Sequence, residues 1–189
     1  MNLSVVSLGH VHTESIEPLT RHLTALEQVV TNLAPRVRLA DVRVELNRAI
    51  DAAAHDWILL MRERETVTAE LAAEIASIPS RAWGARIRTD VVYAGRPLRI
   101  RDHGEIRLFH RRHLLRRGEV AVEGTVVRMR DAFQAITFAS YQEHRAYLAE
   151  REVPHSTLRR LLIFLRNART FDANTLRYVW IEAGFDRGR

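Results

Sequence analysis

Five consecutive apolar residues, Trp57–Met61, lie between two segments of helical periodicity. A strand with one wet face alternates apolar and polar side chains, so an unbroken run of this length suits a strand covered on both faces. The run is therefore expected to be a strand buried within an α/β domain. The rest of the first half agrees. Leu3–Leu8 is rich in apolar and β-branched residues, ends at Gly9, and reads as a strand. Residues from Ser15 to Val29 predict a helix with Ile16, Leu19, Leu23, Leu26 and Val30 along one stripe and Pro18 in its first turn. Asp41 is placed to cap a helix bearing Val42, Leu46, Ala49, Ile50 and Ala53. A further helix is expected from Thr68, with Leu71, Ile75 and Ile78 on one face and Pro79 as its stop.

The middle of the chain predicts strands over Ala85–Tyr93, Glu105–His110 and Val120–Met129. Ala94–Pro97 and Arg116–Gly118 are the turn candidates between them. The last third predicts helices. Ser140 and Glu143 form a capping box, Pro154 precedes a basic amphipathic helix near Thr157–Arg169, and Asp172 caps a final helix closed by Gly184. That last helix carries Leu176, Val179, Trp180 and Ala183. No internal repeat or low-complexity tract interrupts the order. Strand–helix alternation, then strands, then helices, implies an α/β domain over residues 1–139 with a helical extension over 140–189 packed on it.

Composition narrows the chemistry. All 29 basic residues are arginine; there is no lysine and no cysteine. Schiff-base, phosphate-loop-lysine, thiolate and cysteine–metal chemistries are excluded. The lack of cysteine fits a reducing compartment. The arginine excess reads as genomic bias except where arginines gather at a phosphate position. Residues 81–130 hold 13 arginines against 5 acids, whereas residues 1–80 hold 7 against 11. The middle is thus an electropositive segment following an acidic one. The N-terminal run has no basic lead or small-residue cleavage site. The longest apolar runs, Trp57–Met61 and Leu161–Leu165, are five residues, far below the ~20 a membrane span needs. The expectation is a cytoplasmic protein that contacts at most the inner face of the plasma membrane.

The order of short motifs resembles glycosyltransferase family 2, in the bacterial branch that includes lipopolysaccharide-core-type transferases. Leu3–Leu8 and the loop to Glu14 resemble the family's first strand and Asn-Glu loop. Asn47-Arg48-Ala49-Ile50 resembles its Asn-Arg-Ala helix motif. Asp56-Trp57-Ile58-Leu59-Leu60 resembles the strand that leads into Asp-x-Asp, and Val67-Thr68-Ala69-Glu70-Leu71 the Val-Thr-Pro-Glu-Leu segment after it. Ile106-Arg107-Leu108-Phe109 resembles the Arg-Leu-Phe strand, and Ser140-Tyr141 the Ser-Tyr helix opening. The resemblance implies a shortened GT-A-like nucleotide-diphospho-sugar fold. It also implies transfer of a sugar from a nucleotide donor to a glycan or lipid-linked acceptor.

The departures fall on the donor site. In the family, Asp-x-Asp carboxylates hold manganese or magnesium on the diphosphate, as hard cations prefer oxygen ligands. Here the matching segment is Met61-Arg62-Glu63-Arg64-Glu65, so no metal cofactor is expected. Phe138 stands where the family often has histidine, and the stretch from Val29 to Asp41 is too short for a second strand and nucleotide loop. The implied protein is impaired or inactive, a pseudoenzyme; the alternative is a non-catalytic relative that binds a glycan, a nucleotide or a protein. If Arg62–Arg64 is extended, both guanidinium groups face one way and replace the metal's charge at the diphosphate. Alternatively, Arg62, Glu63, Arg64 and Glu65 neutralise one another in a solvated loop. Glu123, after the Arg-Leu-Phe strand, matches the family's acidic residue near the acceptor and is the candidate base; otherwise it is a strand-end glutamate before Gly124. Glu14, Asn47 and Arg107 are the other family-matched positions.

Further patterns carry weaker expectations. His10, His12 and Glu14 have metal-ligand spacing in an extended segment but are only three ligands. His103, His110 and His113 are interspersed with arginines, a poor setting for a cation. Arg86, Arg88, Arg96, Arg99, Arg101, Arg107, Arg111, Arg112, Arg116 and Arg117 accompany Trp83, Tyr93 and Phe109. Such a segment suits an anionic glycan, phosphate or lipid surface, less readily single-stranded nucleic acid, or else a solvated face.

Overall fold

The computed structural model describes residues 1–9, 11–31, 39–98, 104–115, 120–149 and 172–182. It is a mixed α/β protein. The strands are β1 (Asn2–Leu8), β2 (Ala25–Thr31), β3 (Trp57–Arg62), β4 (Glu65–Thr66), β5 (Gly84–Tyr93), β6 (Arg96–Pro97), β7 (Glu105–His110), β8 (Leu114–Leu115), β9 (Ala121–Val122) and β10 (Val126–Phe138). The α-helices are α1 (Glu17–Thr20), α2 (Leu39–Ala52), α3 (Ala69–Ala76), α4 (Tyr141–Ala149) and α5 (Ala173–Glu182). The main sheet runs β2-β1-β3-β7-β5-β10-β4, with β6 paired to β5; β8 and β9 form a separate ribbon. β1 is parallel to both β2 and β3, and β7 is antiparallel to β3 and β5. The chain divides into two compact units, Met1–Thr89 with Gly104–Gln134, and Asp90–His103 with Ala135–Arg189. The helices after residue 140 therefore share a unit with the ends of β5 and β10.

In the first unit, alternate residues of each central strand feed opposite cores. Leu3 and Val5 of β1 and Leu59 and Met61 of β3 pack with Leu19, Leu71, Ile75 and Phe133. Val6, Ile58 and Leu60 point the other way, onto Ala49 and Ile50 of α2 and onto Phe109. Helices on both faces explain why β3 has no polar alternation. Thr68 caps α3 by accepting the Leu71 N–H at 3.1 Å, and the helix ends before Pro79, as its sequence implies.

The second unit is built on aromatic rings. Tyr93 and His144 are fully buried and joined through the Tyr93 hydroxyl and His144 Nδ1 at 2.9 Å. Phe138 stacks on His144 at 4.2 Å, and Tyr178 stacks at 5.2 Å. Ser140 Oγ accepts the Glu143 N–H and the Glu143 carboxylate accepts the Ala139 N–H, which fixes the start of α4. Asp172 accepts the Asn174 and Thr175 N–H groups at the start of α5. Val179 is buried there, but Leu176 and Trp180 of the expected stripe are exposed.

Several expectations change. The helix over residues 15–29 is absent: a 3-10 turn (Thr13–Ser15), the single turn α1 and strand β2 replace it. Ile16 and Leu19 are buried as expected, but Val30 is exposed. Pairing with the edge of β1 outweighs the 3.6-residue spacing. It is reinforced by Ser4 Oγ donating to Glu27 at 2.5 Å and Thr31 Oγ1 donating to Ser7 O at 2.7 Å. A strand parallel to β1 thus begins before the 29–41 stretch. Asp41 lies inside α2 rather than capping it. The strand over Val120–Met129 is two strands, divided at Gly124, and β10 continues to Phe138. His10, Arg116–Gly118, Thr157–Arg169 and Gly184 lie outside the described residues. Among the described residues, no helix is long and apolar enough to cross a membrane.

Candidate functional site

The carboxyl ends of three parallel strands lie side by side. Leu8 of β1 is in register with Thr31 of β2 and with Arg62 of β3. β2 lies on one side of β1 and β3 on the other, so the winding reverses between β1 and β3. In open α/β sheets such a reversal leaves a crevice outside the strand ends where ligands bind. Gly9 follows β1 with φ +92°, and a Cβ on it would meet Glu63 Cβ at 3.3 Å. Glu63 N–H donates to Leu8 O at 3.1 Å. Glycine is needed here because the loop approaches the turn closely in a backbone conformation that L side chains rarely adopt.

Arg62 and Arg64 flank this turn, and both are exposed. The segment is not extended. β3 ends at Arg62, Arg64 has φ +68°, and β4 begins at Glu65. Strand alternation therefore does not aim the two guanidinium groups in one direction. Arg62 Nη2 donates to Glu105 Oε2 at 2.6 Å. Glu65 is only 3 % exposed and holds the turn from beneath. Its carboxylate accepts the Arg62 N–H at 2.7 Å and the Thr89 hydroxyl at 3.2 Å, and pairs with Arg107. Arg107, 4 % exposed, also donates from Nε to Leu60 O at 2.9 Å and lies over the Phe133 ring at 5.1 Å. This family-matched arginine is thus a buried support for the turn.

The other candidates separate. Glu14 is exposed in the 3-10 turn, at the same sheet end as Arg62 and Arg64. Ser15 O, its neighbour, accepts the Val67 N–H at 2.9 Å just beyond β4. Asn47 is half-buried more than halfway along α2, which returns toward the amino end of β3. Glu123 is exposed and its N–H donates to His113 O at 2.8 Å. It lies by the amino end of β3, because antiparallel β7 delivers the chain there: His110 pairs with Trp57. The six-residue β3, roughly 16 Å long, runs between the sheet end near Glu123 and the arginine turn.

That amino end brings together residues that the sequence reading considers separately and in other roles. A cavity of about 730 Å³ is lined by Asp56, Trp57, Trp83, His110, Arg111 and Arg112, among others. Asp56 accepts from Arg111 Nε at 2.9 Å and faces Arg112 Nη2 at 3.2 Å and His110 Nε2 at 3.8 Å. Trp83 stacks on His113 at 3.9 Å. Residues 54–56 precede a buried strand and Arg111-Arg112 follow one, which was the available signal. Burial would raise the Asp56 carboxyl, but the Arg111 hydrogen bond and the neighbouring cations hold it below the ordinary range. Burial lowers the His110 imidazole, assisted by His113, Arg112 and Arg111 against the opposing charge of Asp56. Both groups bind protons less readily folded than unfolded, so their contribution to stability is present at neutral pH and is lost on acidification. The His110 part fades below the ordinary imidazole range, about pH 6.5, and the Asp56 part below about pH 4. Melting temperatures between pH 8 and 5 should fall, and His110→Asn should flatten that fall; an unchanged slope in the variant would contradict the assignment.

Among the described residues, several arginines of the electropositive segment have partners within the fold. Arg86 donates to Gly104 O, Arg88 to Arg130 O, and Arg111 and Arg112 pair with Asp56. Arg99, Arg101, Arg116 and Arg117 lie outside the described residues. Among the described residues, no group of three His, Cys, Asp or Glu side chains is arranged to hold a metal ion. No protein-family model matches the chain, and no curated protein does either.

Proposed function

We propose that this chain is a shortened, GT-A-like relative of glycosyltransferase family 2 that binds a nucleoside diphosphate or nucleotide sugar without transferring the sugar. The observation that carries the proposal is the separation along β3: the arginine turn stands at the carboxyl end and Glu123 at the amino end. A transfer reaction needs its base beside the donor carbon, within hydrogen-bond reach of the acceptor hydroxyl. Binding needs only the crevice at the winding reversal, an anion-compatible turn and a loop glycine at close approach. Arg62, Arg64 and the Gly9 loop supply these. The further alternative, a nucleic-acid or membrane-surface module, is less well supported because Arg86, Arg88 and Arg107 are engaged within the fold.

Thermal denaturation with nucleoside diphosphates, in chelator and then in manganese, tests the proposal. The expected result is saturable stabilisation that does not depend on the metal. At a ligand concentration one hundred times Kd it amounts to about 2.7 kcal/mol. Arg64→Ala should weaken affinity about tenfold, the loss of one charge-assisted contact. Glu123→Gln should leave binding unchanged, and a nucleotide sugar should not be consumed. Absence of stabilisation, or a strict need for manganese, would overturn the binding site. Sugar transfer lost in Glu123→Gln would overturn the non-catalytic assignment.

A further inference from the structure

The cavity at the amino ends of β1 and β3 is remote from the arginine turn and takes no part in the function proposed above. We infer that it is a second small-molecule site, for a ligand combining a flat aromatic ring with one anionic group, such as a nucleoside monophosphate. At about 730 Å³ it has the size of a small-ligand site. Its walls are chemically divided. Trp57 and Trp83 line it with indoles, each edge-on to His110, at 5.5 Å and 5.7 Å between ring centroids, and His113 covers one face of Trp83 at 3.9 Å. Indole surfaces accept stacked rings of any base, since every base has a π-face.

The other wall is cationic and oriented in advance. Arg111 donates from Nε to Asp56 at 2.9 Å and from Nη1 to Ala53 O at 2.8 Å. Arg112 Nη2 lies 3.2 Å from the same carboxylate. Each guanidinium carries five N–H donors in a rigid fork, so both retain donors for an incoming anion. One carboxylate against two guanidinium groups leaves a net charge of +1, which suits a single phosphate or carboxylate. Holding the side chains beforehand reduces the ordering cost of binding. Among the described residues, His110 Nδ1 is a buried nitrogen without a hydrogen-bond partner.

Calorimetric titration of the full chain with adenosine and uridine monophosphates tests the inference, with the nucleosides and inorganic phosphate as separate arms. Saturable binding of a monophosphate is expected, at least about tenfold tighter than either the nucleoside or phosphate alone. Arg112 is 74 % exposed, so Arg112→Ala should fold normally and weaken binding by about tenfold. Arg64→Ala, at the opposite end of β3, should leave this affinity unchanged. No saturable binding, or binding indifferent to Arg112→Ala, would overturn the site. Binding removed by Arg64→Ala would assign the ligand to the carboxyl-end crevice and overturn it equally.

Discussion

Replacing Arg107 with alanine is expected to destabilise the first unit by about 3–5 kcal/mol, because it strands the Glu65 carboxylate in the interior. Glu65 is 3 % exposed and would keep only the Arg62 N–H and the Thr89 hydroxyl as donors. The variant also loses the bond from Arg107 Nε to Leu60 O and the packing of the guanidinium over Phe133. Urea denaturation measures the loss directly. Glu65→Gln keeps the shape but removes the charge, and should cost less, since Arg107 retains Leu60 O and the exposed Glu105 carboxylate at 3.6 Å. A loss below about 1 kcal/mol for Arg107→Ala, the scale of an exposed pair, would show that the pair is not buried in solution. Because Glu65 anchors the Arg62–Arg64 turn, the same variant should also weaken nucleoside diphosphate binding in molecules that remain folded.

The sequence specified the sheet where burial is two-sided and left it ambiguous where burial is one-sided. Leu3–Leu8, Trp57–Met61 and Glu105–His110 were readable because each strand lies in the sheet's interior. β2 is an edge strand of half-buried residues, so its apolar positions satisfied a helical stripe equally well. Only the available edge of β1 decides between the two. The candidate site shows a similar division. An apolar run that stops at Arg62 does place the arginines at a strand end. The positive φ at Arg64 left no trace, since arginine is not a residue that announces such a conformation. The resemblance suggested that Glu123 belongs with Arg62 and Arg64. Whether it does depends on the direction of β7, which no local pattern encodes. The amino-end cavity draws Asp56, Trp83 and His110–Arg112 from three distant segments, and their convergence exists only in the sheet.

Gly124→Ala should be the second large perturbation, costing about 2–4 kcal/mol from strain and overpacking together. Gly124 has φ +102°, where an L side chain is strained whatever space surrounds it. Space is also lacking: a Cβ would sit 2.6 Å from Trp83 Cδ1. The indole cannot retreat freely. It stacks on His113 at 3.9 Å, and its backbone N–H is bonded to Thr125 O at 2.8 Å, just beyond the glycine. Relief must therefore come from displacing Trp83 from His113 or from reshaping the link between β9 and β10. Either route shifts a wall of the amino-end cavity. The expected signature is lowered stability together with altered tryptophan fluorescence and weaker monophosphate binding. Nucleoside diphosphate binding at the carboxyl end should persist below the melting transition. If both ligands were lost in parallel from folded protein, the two ends of β3 would not be independent sites.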